Sequence, residues 1–354
     1  MKDILIAMKL IAAAMSLALV AGCSESVAEK SDSAKTRAGK IGNLSAAATT
    51  DSPAKPSERT FRFDYGFELT DLPADATVRV WMPVPPSNRH QAVAELDRKL
   101  PAQATVSKEA KYGNAILYLE PQVPATGQLD FQVSYRVERK EVRGREPSGG
   151  NVTIEPTDHE RFLAPNANVP LEGKPLELIA GLNLPQAGLR LGRRLYDRVD
   201  EHMKYDKSKP GYGRGDVNWA CDSRFGNCTD FHSLFVSLAR SQGLPARFEI
   251  GFPIPENRDS GTIDGYHCWA YFFVENHGWI PIDISEADKQ PDKKDYFFGN
   301  LTPDRVVFTT GRDLELVPRQ AGKPLNFFVY PYIEVNGKPW PRENTQTRFA
   351  FQEL

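Results

Sequence analysis

The stretch Gly226-Asn227-Cys228-Thr229-Asp230-Phe231-His232, running on to Arg247, constrains this chain more than any other. Apolar residues at Phe231, Leu234, Phe235, Leu238 and Ala239 keep helical spacing, the stripe of a helix buried on one side. Asn227 is a good N-cap type, and Asp230, three residues on, suits the positive end of the helix dipole. Gly243 and Pro245 supply the stop. Cys228 therefore falls on the first turn of a buried helix. Unpaired backbone N–H groups there stabilise a thiolate, and they also stabilise an oxyanion. Two readings stand side by side: an activated nucleophile, or a small buried cysteine that merely packs.

The chain has 354 residues, enough for two domains of ordinary size. Hydrophobic residues at 40% and charged residues at 25% suit a soluble globular protein. A net charge of −2 without a long basic block gives nucleic-acid binding no support. Residues 1–23 read as a targeting segment, with Lys2 and Lys9 ahead of an apolar run, Ile11 to Ala21, that is too short for a dedicated spanning helix. It ends in Val20-Ala21-Gly22-Cys23, which resembles the lipobox of bacterial lipoproteins. That resemblance implies cleavage before Cys23 and lipidation of its thiol, hence a membrane partner through an N-terminal lipid anchor in the cell envelope. In a Gram-negative cell, Ser24 in the next position favours the outer membrane, facing the periplasm. The competing reading is an ordinary secretory signal with an incidental cysteine. Residues 24–58, rich in Ser, Ala, Lys, Asp and Thr, read as a disordered tether.

From Phe61 the pattern changes to short strands. Phe61, Phe63 and Tyr65 alternate with polar residues or glycine, Val78, Val80 and Met82 keep the same period of two, and Ala115–Glu120 and Leu129–Glu138 follow. An antiparallel β-sandwich over 59–140 fits. Residues 141–174 read as a connection, 175–290 as an α+β core, and 291–354 as a C-terminal extension packing on that core. The expected fold class is thus α+β, a sandwich followed by a core built around the Cys228 helix.

A thiol nucleophile needs an imidazole to pair with it and a group to orient the imidazole. The C-terminal half offers His267 in an aromatic-rich strand and Asp283 on the returning strand, after the turn Glu275-Asn276-His277-Gly278. No metal or cofactor is required. Three segments, Gly226-x-Cys228-x-Asp230 with Gly243-Leu244-Pro245-Ala246-Arg247, His267-x-Trp269, and Gly278-Trp279-x-Pro281-x-Asp283, resemble the nucleophile, His and Asp motifs of the transglutaminase-like superfamily. Trp81-Met82-Pro83-Val84-Pro85 is similar to the β-domain that precedes this core in many bacterial members. The resemblance implies a papain-like core with Cys228 as nucleophile, His267 as base and Asp283 as orienting acid. The implied partner is a protein or peptide substrate, attacked at an amide carbonyl through a thioester. Water as acceptor, giving a peptidase or amidase, is favoured over an amine. A non-catalytic peptide- or wall-binding module on the same fold is the alternative.

Other residues carry weaker expectations. Cys221 and Cys268 read either as a disulfide in an oxidising envelope or as two isolated core thiols. Alternation turns Cys268 away from His267. A zinc site of Cys221, Cys228, His267 and Cys268 is open by ligand count, though its spacing is unusual. His232, one turn past Cys228, reads as structural, and Tyr205 and Trp219 are candidates for a second oxyanion donor. The hairpin adds a geometric demand. A tight turn over Glu275–Gly278 would set Asp283 opposite Ala270, roughly 10 Å along the strand from His267. Asp283 faces His267 directly only if the hairpin is centred on Glu275, which predicts a wider or bulged tip with Pro281 outside the ladder bonds.

Overall fold

The computed structural model describes residues 57–146 and 152–354, so Cys23 and nearly all of the expected tether lie outside the described residues. No helix among the described residues is long and apolar enough to cross a membrane. The alternation of Phe61, Phe63, Tyr65, Phe67 and Leu69 becomes the inward face of strand β1 (Glu58–Leu69), with all five buried. The chain continues through β2 (Val78–Val84), β3 (Gln91–Lys99), β4 (Thr105–Lys108), β5 (Ala115–Leu119) and β6 (Leu129–Lys140). Helices α1 (Gly188–His202), α2 (Val217–Ser223) and α3 (Cys228–Ser241) follow, then β7 (Ala246–Pro253), β8 (Ser260–Thr262), β9 (His267–Val274) and β10 (Gly278–Ile282). After α4 (Ile284–Lys289) come β11 (Arg305–Thr310), β12 (Tyr332–Val335), β13 (Lys338–Pro339) and β14 (Thr345–Glu353).

The fold is α+β. One five-stranded sheet runs β8-β14-β1-β6-β3 and a second runs β13-β12-β2-β5-β4, the two layers of an antiparallel sandwich. The core sheet, β10-β9-β7-β11, is also antiparallel, and α3 lies against it. The expected boundaries need correction at the end of the chain. Residues 291–354 do not simply pack on the core. Arg305–Thr310 joins the core sheet, but Tyr332–Val335 pairs with β2 and Thr345–Glu353 pairs with β1 along its length. Without β14, strand β1 would be an exposed edge with a row of unpaired backbone groups. The stretch 141–174 is also more than a connection, since it buries Val142, Phe162 and Val169.

Sandwich and core sheet share one interior. Phe252 of β7 sits among Phe63, Tyr65, Phe308 and Phe349, with ring centroids 5.1, 6.1, 5.2 and 4.5 Å away. Truncating a fully buried phenylalanine costs about 3–5 kcal/mol. Phe252→Ala is therefore expected to lose that much stability in urea titration. Far-UV and aromatic CD should still report a single transition, because both layers lose the same packing.

Candidate active site

Helix α3 begins where its caps require. The Asn227 side chain accepts the Thr229 N–H at 2.9 Å, and Asp230 Oδ2 accepts the Asn227 N–H at 2.9 Å, a reciprocal capping box. Asp230 also accepts the N–H groups of Gly213 and Gly215, at 2.8 and 2.9 Å, so one buried carboxylate ties the glycine loop to the helix start. The expected one-sided stripe is exceeded: every residue from Cys228 to Arg240 is buried. The polar side of the helix is tolerated because its groups are bonded. Arg240 donates to the carbonyls of Ala164 and Ala246, and Arg312 donates to Ser233 Oγ and the Gly215 carbonyl.

Cys228 occupies the first helical position and is 2% exposed. Its backbone N–H is one of the four helix amides without an intrahelical acceptor. His267 opens β9, and its Nε2 lies 2.7 Å from Asp283 Oδ2, leaving Nδ1 as the nitrogen available to the thiol. The Cys228 thiol and the His267 imidazole stand close enough for each to act on the other's charge. Burial opposes a charge on Cys228. Hydrogen bonds from Cys268 and His267, with the positive charge of His267, nonetheless hold its pKa well below the ordinary thiol value. Burial likewise opposes an imidazolium, but the Asp283 carboxylate and Cys228 raise His267 to about 10. Asp283, buried beside His267 and Arg305, is held far below the ordinary carboxylate range. These shifts all favour the charged forms, a thiolate at Cys228, an imidazolium at His267 and a carboxylate at Asp283.

The hairpin register is neither of the two considered. Val274 pairs with Gly278 and Ala270 with Ile282, so the tip is centred on Asn276, whose φ of 63° is left-handed. The ladder has no bulge, and Pro281 pairs with Tyr271 on an edge strand. Asp283 does not reach His267 by standing opposite it. It leaves the strand and becomes the N-cap of α4, where Oδ1 accepts Ser285 Oγ and the Glu286 N–H, both at 3.1 Å. That turn frees Oδ2 for His267 and for Arg305, whose Nη1 donates to it at 2.8 Å. Arg305 also lies over the Trp269 ring at 4.9 Å. No motif marks Arg305 in the sequence, because only pairing of β11 with β7 brings it here.

His232 is fully buried, and its Nε2 accepts the Ile284 N–H at 3.1 Å, which makes the ring neutral with its proton on Nδ1. Burial lowers its pKa to about 4. The 3.7 Å approach of Nε2 to Asp283 Oδ1 is therefore no ion pair. Cys221, Cys228 and Cys268 are all free thiols. Cys221 lies among Asp222, Lys174, Glu177 and Asp216, and among the described residues no cysteine joins a cluster of metal-ligand atoms, so the four-residue zinc set is not assembled. His267, Asp283 and Glu286 bring ligand atoms within 4.8 Å of one another. Asp283 is paired with Arg305 and with His267 itself, and Glu286 with Lys289.

A cleft of about 680 Å³ ends at His267. Tyr205, Tyr266, Glu286 and Lys289 line it, and Glu256 and Arg258 stand at its rim. Tyr266 fastens the cleft wall to the helix start, its hydroxyl 2.8 Å from Thr229 Oγ1 and 3.0 Å from Asn227 Nδ2. Of the two proposed oxyanion donors, Tyr205 lies on this wall and within the field of Cys228, whereas Trp219 packs on Phe225.

Residues 181–284 match the sequence family described as the transglutaminase-like superfamily. An uncharacterized protein from Haemophilus influenzae is 27% identical over 73% of this chain and 81% of its own length. Among solved structures, a candidate cysteine protease from Cytophaga hutchinsonii superposes with a TM-score of 0.51 at 15% identity, covering 84% of this chain and 99% of that one. At that identity the match shows a shared fold. The periplasmic domain of TgpA from Pseudomonas aeruginosa superposes more loosely, with a TM-score of 0.34 at 17% identity over 66% of this chain and 92% of its own.

Proposed function

With residues 181–284 a core of the transglutaminase-like superfamily, we propose that the chain is a cysteine enzyme acting on an amide or peptide carbonyl. The supporting observation is the line Cys228, His267, Asp283, with Nε2 and Oδ2 at 2.7 Å and Cys228 on a helix N-terminus. The Cys228 thiolate attacks the carbonyl carbon, and the C=O pair moves onto oxygen. The backbone N–H of Cys228 receives that oxyanion. The His267 imidazolium protonates the leaving amine as the C–N bond breaks, which leaves a thioester. Neutral His267 then removes a proton from water, and hydrolysis restores the thiolate. An amine at the same step would give transfer instead. The cleft beside His267 opens to solvent, so water reaches a thioester there directly, and we favour hydrolysis for that reason. Lipidation of Cys23 would place the enzyme on the cell envelope, where a protein or peptide substrate meets it.

Digestion of a peptide library, with and without added amine and read by mass spectrometry, tests the reaction. Cleavage lost in Cys228→Ala supports it. Intact peptides and no amine adducts, with a folded protein, would leave only a binding module.

Two further outcomes are expected. Iodoacetamide at mildly acidic pH should label Cys228 ahead of Cys221, whose thiol burial raises to about 11, and ahead of Cys268, raised by burial and by Cys228. Peptide mapping reads the order, and equal labelling would contradict the ion pair. Tyr205→Phe should lower kcat by roughly 10²-fold with little change in KM if its hydroxyl meets the oxyanion. A KM effect alone would make Tyr205 a wall of the cleft and nothing more.

A further inference from the structure

The acyl-transfer steps use one buried thiol and leave a second beside it idle. Cys268 is 0% exposed and follows His267 on β9. Strand alternation turns it toward α3, as it turns Ala270 and Phe272, which pack with Phe235. Its Sγ lies 3.8 Å from Thr229 Oγ1 and 3.7 Å from His232 Nδ1, one and four residues past Cys228 on α3, and Cys228 and Cys268 share one buried cluster. A small buried cysteine ordinarily serves as a hydrophobe. Here the thiol stands against the first turn of the helix that carries Cys228, between Thr229 and His232, where the second sulfur is its neighbour in the same cluster.

We propose that Cys268 is the resolving partner of Cys228, so that peroxide oxidation of the nucleophile closes a reversible disulfide across the site. The proposal rests on the reactive Cys228 of the proposed function but not on its substrate. Hydrogen peroxide is the oxidant, and it is little larger than water. The Cys228 thiolate attacks one peroxide oxygen, the O–O bond breaks, and the departing hydroxide takes the proton of the His267 imidazolium. The product is a sulfenic acid at Cys228 and water. The Cys268 sulfur then attacks the Cys228 sulfur. The S–S bond forms, the S–O bond breaks, and the hydroxide leaves as water with the Cys268 proton. Two thiols have lost two electrons to one peroxide. A dithiol reductant reverses the step by exchange. Without a thiol in reach, the sulfenic acid would go on to irreversible sulfinic and sulfonic acids.

The test uses the full chain as wild type, Cys268→Ser, Cys268→Ala and Cys221→Ser. Each is exposed to hydrogen peroxide, reduced with dithiothreitol, and alkylated with iodoacetamide at mildly acidic pH. Wild type and Cys221→Ser should lose two hydrogens on oxidation and show a Cys228–Cys268 cross-linked peptide. Their rapid Cys228 labelling should return on reduction. In either Cys268 variant the recovered labelling should fall by about tenfold as Cys228 is driven to sulfinic acid. A cross-link from Cys228 to Cys221, or equal recovery in the variants, overturns the proposal. So does direct sulfinic acid formation in wild type, a measurement that needs no variant to fold. Rapid labelling of untreated Cys228 in those cases leaves the acyl-transfer reading standing. Its absence would sink both.

Discussion

Cys228→Ala is expected to reduce kcat/KM on an amide substrate by on the order of 10⁴-fold or more, the scale seen when a covalent nucleophile is removed. The loss should fall on kcat, since a 2% exposed sulfur contributes little to substrate binding. Cys228→Ser should be nearly as poor. A hydroxyl is not ionised by the hydrogen bonds and charge that ionise this thiol, so the ready anion is lost. Stability should change little in the serine variant, which separates chemistry from folding. The pH profile of the wild type follows from the same pair. Its alkaline limb should lie near pH 10, where His267 loses its proton, and its acid limb well below 9, where Cys228 gains one. These midpoints belong to the coupled pair rather than to either residue alone. Retention of half the wild-type rate in Cys228→Ala would remove the thiol from the reaction.

Asp283→Ala should be damaging twice over. The carboxylate is 0% exposed and accepts from His267, Arg305, Ser285 and the Glu286 N–H. Removing one partner of a buried ion pair costs about 3–5 kcal/mol, because the remaining charge is stranded. The lost N-cap adds about 1 kcal/mol. Burial would then dominate His267 and lower its pKa, so the imidazolium and with it the Cys228 thiolate would disappear at neutral pH. The expected result is a rate loss on the order of 10⁴-fold, slow iodoacetamide labelling at pH 6, and a clear drop in urea midpoint. Asp283→Asn separates the two effects, since asparagine still caps α4 but carries no charge. The linkage has definite signs. His267, raised from 6.5 to about 10, contributes stability fully below about pH 6.5 and loses it as pH rises through 10. Asp283 and Cys228 are depressed from 3.8 and 9.0. They contribute above those values and lose the contribution as pH falls through their folded pKa values. An Asp283→Ala protein with wild-type stability and labelling would show that Asp283 does not hold the imidazole.

Local patterns make part of this molecule legible in its sequence. Helical spacing, Asn227 and Asp230 place Cys228 at a capped helix start, because capping is decided within a few residues. Alternation from Phe61 to Leu69 marks β1, and the order of three motifs brings His267 and Asp283 into one reading. The hairpin tip was less legible, since Glu275, Asn276 and Gly278 suit several turns and only the left-handed backbone at Asn276 sets the register.

Tertiary structure decided what depends on strands far apart in the chain. Pairing of Thr345–Glu353 with β1 makes the C-terminus part of the sandwich, and nothing in its alternation names that partner. Arg305 reaches Asp283 only because β11 lies beside β7, and Cys268 meets the first turn of α3 only because that helix crosses β9 at its first residues. The helix that carries Cys228 and the strand patterns are written in the sequence, since each is a short-range preference of the backbone. Which face meets which, and therefore what charges and thiols surround Cys228, followed from burying a core shared by both layers.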